Sequence, residues 1–324
     1  MSNLVLSLTL LLILFKPFQA LCELPDDPNS EQQDSISKWS HTFRPQLILN
    51  QLSLTNWASG GESSISAKGN ILYRSIFCHK SLTFSYENKF AFGIVGYSNK
   101  RIEKTEDRMD INLSFSLRAS DKWSYSSMLT FKSQFANGYK YPNDSTLISA
   151  FMAPGYLNAS LGFKYKPADN LDIFISPSSG KFTFVLNQEL ANKGAFGVRK
   201  AERDTLNNII TKGKNILSEF GINFLANYTK DIAENIELNT TLNLYNNYLD
   251  DNASNRWNID VDWETSINFS INKFLQTVFF VHLKYDHNVK FPTYETVDGS
   301  QVLISEGPKV QLMESIGIAF TYKI

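Results

Sequence analysis

Three carboxylates, Asp260, Asp262 and Glu264, stand at alternate positions of the chain. In a β-strand that spacing puts all three on one face. Oxygens stacked in this way could hold a hard cation such as calcium, with further ligands from elsewhere. Pairing with Lys and Arg on neighbouring strands is the commoner arrangement, and no metal site is assigned. The chain has four histidines, His41, His79, His282 and His287. Asp286-His287 resembles half of an acid–histidine pair of a hydrolase. A catalytic reading therefore rests on His282 or His287, but nothing in the sequence pairs either with a nucleophile, and no catalytic residue is assigned. There is no phosphate loop, dinucleotide fingerprint or zinc spacing, so no cofactor is expected.

The carboxylates belong to the stretch Trp257 to Ile271, WNIDVDWETSINFSI. Trp257, Ile259, Val261, Trp263, Thr265, Ile267, Phe269 and Ile271 alternate with Asn258, Asp260, Asp262, Glu264, Ser266, Asn268 and Ser270. The period of two marks a strand with one apolar and one strongly polar face. Two Trp on one face and three carboxylates on the other place the apolar face against lipid and the polar face in a wet lumen. About 9–11 residues suffice for a tilted transmembrane strand, and this stretch is long enough. The inner face inferred in the same way along the chain carries Glu87, Asp110 and Glu237 as acids, and Lys68, Arg74, Lys89, Arg118, Lys122, Lys132 and Lys284 as bases. Asp110, Arg118, Lys132, Asp260, Asp262, Glu264 and Lys284 are the leading lumen-lining candidates. They either line a selective path for small solutes or pair with one another to fill the lumen.

The 324 residues carry a formal net charge of −1, without the basic bias of a nucleic-acid binder. No mature segment has the roughly 18 consecutive apolar residues of a helical span, and aromatics reach 13%, as strands with interfacial girdles require. Residues 1–20 read as a signal peptide with an apolar core from Leu4 to Phe15. Residues 21–41, polar and Pro-containing, read as a flexible periplasmic leader, and 42–324 as the barrel. Cys22 is preceded by Leu21, larger than the small residue that a lipidation site prefers. Cys22 and Cys78 could pair, but two cysteines make no disulfide framework.

Strands are expected near 42–55, 64–78, 81–97, 108–120, 122–136, 149–166, 170–187, 217–230, 234–248, 256–271, 273–287 and 308–323. In the last, Val310, Leu312, Ile316, Ile318, Phe320 and Tyr322 share a face that Glu314 interrupts. Connections after even-numbered strands are tight turns, whereas most after odd-numbered strands are long and polar: 98–107, 137–148, 188–216, 249–255 and 288–307. Short turns on one side and long loops on the other are the habit of outer-membrane barrels. Trp123, Tyr125, Tyr165, Trp257, Tyr285 and Tyr322 fall near strand ends, as a girdle would. The longest loop contains QELANKG, a helical turn stopped by Gly194, and either folds inward as a plug or lies outside as an ordered surface loop. The expectation is an all-β, antiparallel transmembrane barrel of roughly twelve strands. Its partners would be outer-membrane lipid and, through the terminal amphipathic strand, the barrel-assembly machinery, with no nucleic acid. A narrow channel or small-solute or lipid transporter is the leading function, ahead of a structural or adhesion protein and a hydrolase.

Several motifs are familiar. They are Asn56-Trp57-Ala58-Ser59-Gly60-Gly61, KTEDR (104–108), SQFANGYKYPND (133–144), APGYLNASLGFKYKPADN (153–170), SPSSGKFTFVLNQELANKGAFGV (176–198), TKGKN (211–215), INKFL (271–275) and the stretch from Gly307 to Tyr322. Together they resemble domain-of-unknown-function family 3078, outer-membrane-type proteins of Bacteroidota. The resemblance implies an envelope barrel of a Gram-negative bacterium and transfers no catalytic or binding residue. The loop 288–307 departs from it in being shorter and less Asp-rich, which weakens any loop-bound metal. Residue chemistry gives the first motif its own reading: Gly60-Gly61 permit a tight turn, Asn56 caps it, and Trp57 sits at the membrane surface.

Overall fold

The structure, a computed structural model, describes residues 38–54, 62–98, 101–141, 145–297 and 300–322. Asn56, Trp57, Gly60, Gly61, Cys22, residues 1–20 and most of 21–41 lie outside the described residues. Twelve strands close into an antiparallel barrel: β1 Lys38–Leu52, β2 Ser64–His79, β3 Leu82–Tyr97, β4 Ile102–Arg118, β5 Trp123–Ser133, β8 Gly155–Ala168, β9 Leu171–Phe184, β12 Ile216–Ala233, β13 Ile236–Asn246, β14 Asp260–Ser270, β15 Leu275–Tyr285 and β18 Gln311–Thr321. Three small hairpins stand apart from the wall: β6 Gly138–Tyr139 with β7 Leu147–Ser149, β10 Glu202–Arg203 with β11 Ile209–Thr211, and β16 Lys290–Val297 with β17 Ser300–Pro308. All three lie in connections at the long-loop end. At the other end the chain turns within a few residues, as at 80–81 and 234–235. No helix among the described residues is long and apolar enough to cross a membrane.

Alternation sets the faces. Phe115, Leu129, Phe163, Trp263, Ile316 and Phe320 are exposed on the outside, while Ser116, Ser126, Ser160, Ser179 and Asn223 are buried within. An apolar exterior around a polar interior is the inverse of a water-soluble sheet protein and suits hydrocarbon surroundings. At the short-turn end Trp39 lies tilted against Phe77 (ring centroids 4.9 Å), Trp123 stacks on Tyr165 (4.5 Å) and Phe274 on Tyr322 (6.1 Å), which is a girdle.

β1 begins at Lys38 rather than near 42, so residues 38–41 of the expected leader belong to the wall; three other strand starts and one loop differ for local reasons. β4 begins at Ile102 rather than near 108, because the charged run pairs as it extends: Arg101 with Glu103, and Lys68 with Glu106. β8 begins at Gly155 rather than near 149, since Met152 has φ 54° and Ala150 bridges back to Ala153. β14 begins at Asp260, and Trp257 ends a 3-10 turn, Ala253–Trp257, instead of a strand. There the Asn252 side chain accepts from Ser254 N, and Asn246 Nδ2 reaches the carbonyls of Arg256 and Asn258. Asp and Asn supply local partners that compete with a ladder. The loop 288–307, expected without strands, contains the β16–β17 hairpin.

β9 carries one extra residue. Its pairing slips between Ile175 and Ser178 against β8, and between Ser176 and Ser179 against β12. Ser176 Oγ donates within the bulge, 2.8 Å from the carbonyls of Leu161 and Ser178. A β-carbon on Gly162 would collide with the Ile175 carbonyl, whereas one on Gly69 meets nothing. Gly162→Ala is expected to cost about 1–3 kcal/mol and to lower the midpoint of heat-induced unfolding on gels, while Gly69→Ala leaves it within error.

Candidate functional site: the lumen

The inward faces of β4, β5, β14 and β15 meet across the lumen. Arg108 on β4 binds Glu264 on β14 through both oxygens, Nη1–Oε2 3.0 Å and Nη2–Oε1 2.8 Å. Its Nε also donates to Asp110 Oδ2 at 2.6 Å. Lys132 on β5 reaches Asp262 on β14 at 2.9 Å. His282 on β15 lies 2.6 Å from the other Asp262 oxygen and 3.7 Å from Glu264. β5, β8, β9, β12 and β13 separate β4 from β14 one way round the wall, and β3, β2, β1, β18 and β15 the other. The two strands are thus diametrically opposed.

That contact shapes the barrel. Twelve strands about 4.8 Å apart and tilted about 40° would close into a circle about 24 Å wide. An extended Arg bonded to an extended Glu holds their Cα atoms no more than about 15 Å apart. The cross-section at this level is therefore oval, with its short axis between β4–β5 and β14. The bridging side chains keep contact with solvent, Lys132 at 32% and Arg108 at 22% exposure.

A second cluster lies near the long-loop end. Lys181 on β9 faces Glu219 (3.4 Å), Asp260 (2.7 Å) and Asp286 (3.2 Å). The backbone N–H of His287 donates to Asp260, and Asn288 Nδ2 to Glu219. In the short-turn half, Arg74 and Lys89 flank Glu87, and Glu237 accepts from Asn239 and Asn268. Lys284 stands 5.9 Å from the ring of Tyr156 on the far wall. Of the residues expected to line the lumen, Asp110, Lys132, Asp262 and Glu264 come together. Asp260 joins the other cluster. Arg118 sits exposed at the short-turn end of β4, and Lys122 lies in the turn after it instead of on the wall.

Asp262, Glu264 and His282 bring ligand-type atoms within 4.8 Å of one another. Lys132 and Arg108 already neutralise the two carboxylates, so a metal ion would compete with both. Asp262 and His282 form an acid–histidine pair, yet among the described residues no hydroxyl is hydrogen-bonded to His282 or His287.

The loop between β9 and β12 is ordered. Helix α1, Gln188–Asn192, starts where the Asn187 side chain accepts from Leu190 N, and the chain leaves it through Gly194 at φ 73°, as QELANKG anticipates. Val198, Leu190 and Ala191 pack on Ala153 and Val185 at the outer end of the wall. Gly197 touches Asn288 beyond β15, although β12, β13 and β14 lie between β9 and β15. The loop thus crosses part of the mouth. In its β10–β11 hairpin the Asn208 side-chain amide and backbone N–H hold the Asp204 carboxyl below its ordinary value.

Outside the wall, Asp107 accepts from Phe135 N and Ala136 N at 2.8 Å each and pairs with Lys104. KTEDR and SQFANGY are thereby one structural unit that fastens the β5 exit to β4. Residues 49–139 match the family model DUF3078. Its description is protein of unknown function. The DUF3078 segment supplies Arg108, Asp110 and Lys132, whereas Asp262, Glu264 and His282 come from beyond it. No curated protein sequence matches the chain significantly. Among solved structures the barrel is similar to an outer membrane channel from Pseudomonas putida F1, at 9% identity and TM-score 0.39, over 91% of this chain and 99% of that one. It is also similar to the translocator domain of the autotransporter NalP from Neisseria meningitidis, at 8%, 0.31, and 90% of each chain. A FadL homologue from Pseudomonas aeruginosa gives 9%, 0.30, and 89% of each.

Proposed function

We propose that this chain is an outer-membrane barrel of a Gram-negative cell, with its short turns in the periplasm and its long loops outside. In this reading its narrow lumen passes small solutes when the cross-lumen ion pairs yield. The observation that carries the reading is the Arg108–Glu264 and Lys132–Asp262 bridging of opposite walls by side chains that keep partial contact with solvent. Partly solvated pairs on flexible stems rearrange at a lower cost than a plug of packed backbone. The amphipathic strand β18 would engage the assembly machinery and bulk lipid would surround the wall. The same pairs support a second reading, a non-transporting envelope protein whose lumen is simply filled.

Single-channel recording of the refolded protein in a planar bilayer separates the two, run beside a form lacking 195–210. Steady small conductance in the intact protein is expected, with an increase on deletion because the loop crosses the mouth. Silence in both, with folding confirmed, would overturn the channel reading in favour of the filled barrel.

A further inference from the structure

The wall is incompletely zipped at one place. β1 and β18 pair at four positions, Gln46 to Leu49 against Ile318 to Thr321. β15 pairs with β18 from Lys284–Gln311 to Leu275–Phe320, and β1 with β2 along its whole length. Among the described residues, the β1-facing edge of β18 from Met313 to Ile316 has no ladder partner. The Asn50 side chain takes over where the ladder stops, lying against Gly317 and, with its amide turned to satisfy its neighbours, donating to the Ile316 carbonyl.

Three features beyond the missing ladder agree that this edge is a gap and not merely a loose seam. By register Asn50, Leu52 and Ser315 belong to the inner face, yet all three are exposed. Glu314 is an exposed carboxylate on the otherwise apolar exterior of β18, a position that hydrocarbon penalises and a hydrated cleft does not. A bare strand edge is itself excluded from lipid unless water or a ligand reaches it. Ile48, Val278 and Ala319 form an apolar cluster inside the closed part of the seam, and Phe280 and Met313 carry that surface up beside the gap, among Ser315, Asn50 and His282. The larger ion-pair clusters, around Arg108 and Lys181, lie farther round the wall.

We infer that the gap between β1 and β18 is a lateral portal, through which a single-chain amphiphile of fatty-acid type passes between the lumen and the surrounding lipid. The inference deepens the channel reading and rests on it. The tail lies along Ile48, Phe280 and Met313. The carboxylate faces Lys68, whose ammonium stands 5.4 Å from the Phe280 ring centroid and is paired with Glu106. Glu314 keeps the outer edge of the gap hydrated while the head group moves along it.

The test is photolabelling with a diazirine-bearing palmitic acid in phosphatidylcholine nanodiscs, with adducts mapped by mass spectrometry. Adducts on the inward residues Phe280 and Met313 are expected, competed by unlabelled palmitate. They should be lost when Leu52→Cys and Ser315→Cys, opposite one another if the seam register is continued, are oxidised to close the gap. Re-reduction should restore them, which controls for misfolding. Adducts confined to exterior residues such as Phe279 and Leu283 would overturn the portal, as would a cross-link of this edge to another polypeptide strand. Conductance without inward labelling would sink the portal alone. Inward labelling without conductance would sink the axial channel alone.

Discussion

Replacing Arg108 and Lys132 together by alanine is expected to raise the single-channel conductance several-fold. These side chains span the short axis of the oval. Without them Asp110, Asp262 and Glu264 face an open passage and repel one another, so the enlarged path should also favour cations over anions. Breaking a fully buried pair costs about 3–5 kcal/mol. Arg108 and Lys132 keep some contact with solvent, so the cost should be smaller and the barrel should still fold, which a gel-shift assay of heat-induced unfolding checks. Glu264→Gln alone should do less, because Arg108 keeps Asp110. An unchanged conductance in the well-folded double variant would mean that the bridges are not the constriction.

Lys181→Met is expected to be the most destabilising single change in the lumen. One ammonium there faces three carboxylates, Glu219, Asp260 and Asp286. Removing it leaves like charges together in a partly desolvated place, and the loss of such a partner costs up to about 3–5 kcal/mol. Urea unfolding in detergent should show a clearly lower midpoint. Lys181→Arg should recover most of the loss, since charge is what the site needs. Adding Asp260→Asn to Lys181→Met should recover part of it, because neighbouring changes are not additive. A midpoint for Lys181→Met equal to that of the parent would show that the carboxylates do not depend on this ammonium.

The barrel was legible in the sequence because its signal is one repeated rule, alternation, which needs no knowledge of what each strand touches. The lumen was legible only in part. Asp262 and Glu264 are found as the residues between the alternate apolar positions that start at Trp257, and Asp110 as the one between Met109 and Ile111. Arg108 lies on the same face as Asp110 by that count, at the first position of the expected strand, but its place at the end of the KTEDR motif draws attention away from the lumen. Lys181 is hidden by the bulge: counting from Asp172 and Phe174 puts it on the lipid side, and the extra residue near Pro177 returns it to the lumen. A Pro inside a strand is a signal for such a shift. Trp257 lies outside the strand that its alternation predicts because Asn and Asp side chains close a local turn in a run that also alternates. Glu314, unexplained by pattern alone, is accounted for by a seam that exists only once β1 and β18 meet. No local count reveals which walls face each other.

That last point bears on how the barrel comes together. The partners Arg108 and Glu264 are 156 residues apart, and Lys132 and Asp262 are 130 apart, whereas hairpin neighbours are joined by short turns. Contacts across such lengths form late, after the intervening loops have closed. The transverse bridges therefore cannot guide insertion. Interactions absent from the folding transition state act chiefly by slowing unfolding. The bridges that narrow the lumen thus also serve as latches, set after the wall is complete and prolonging the lifetime of the finished barrel more than they hasten its assembly.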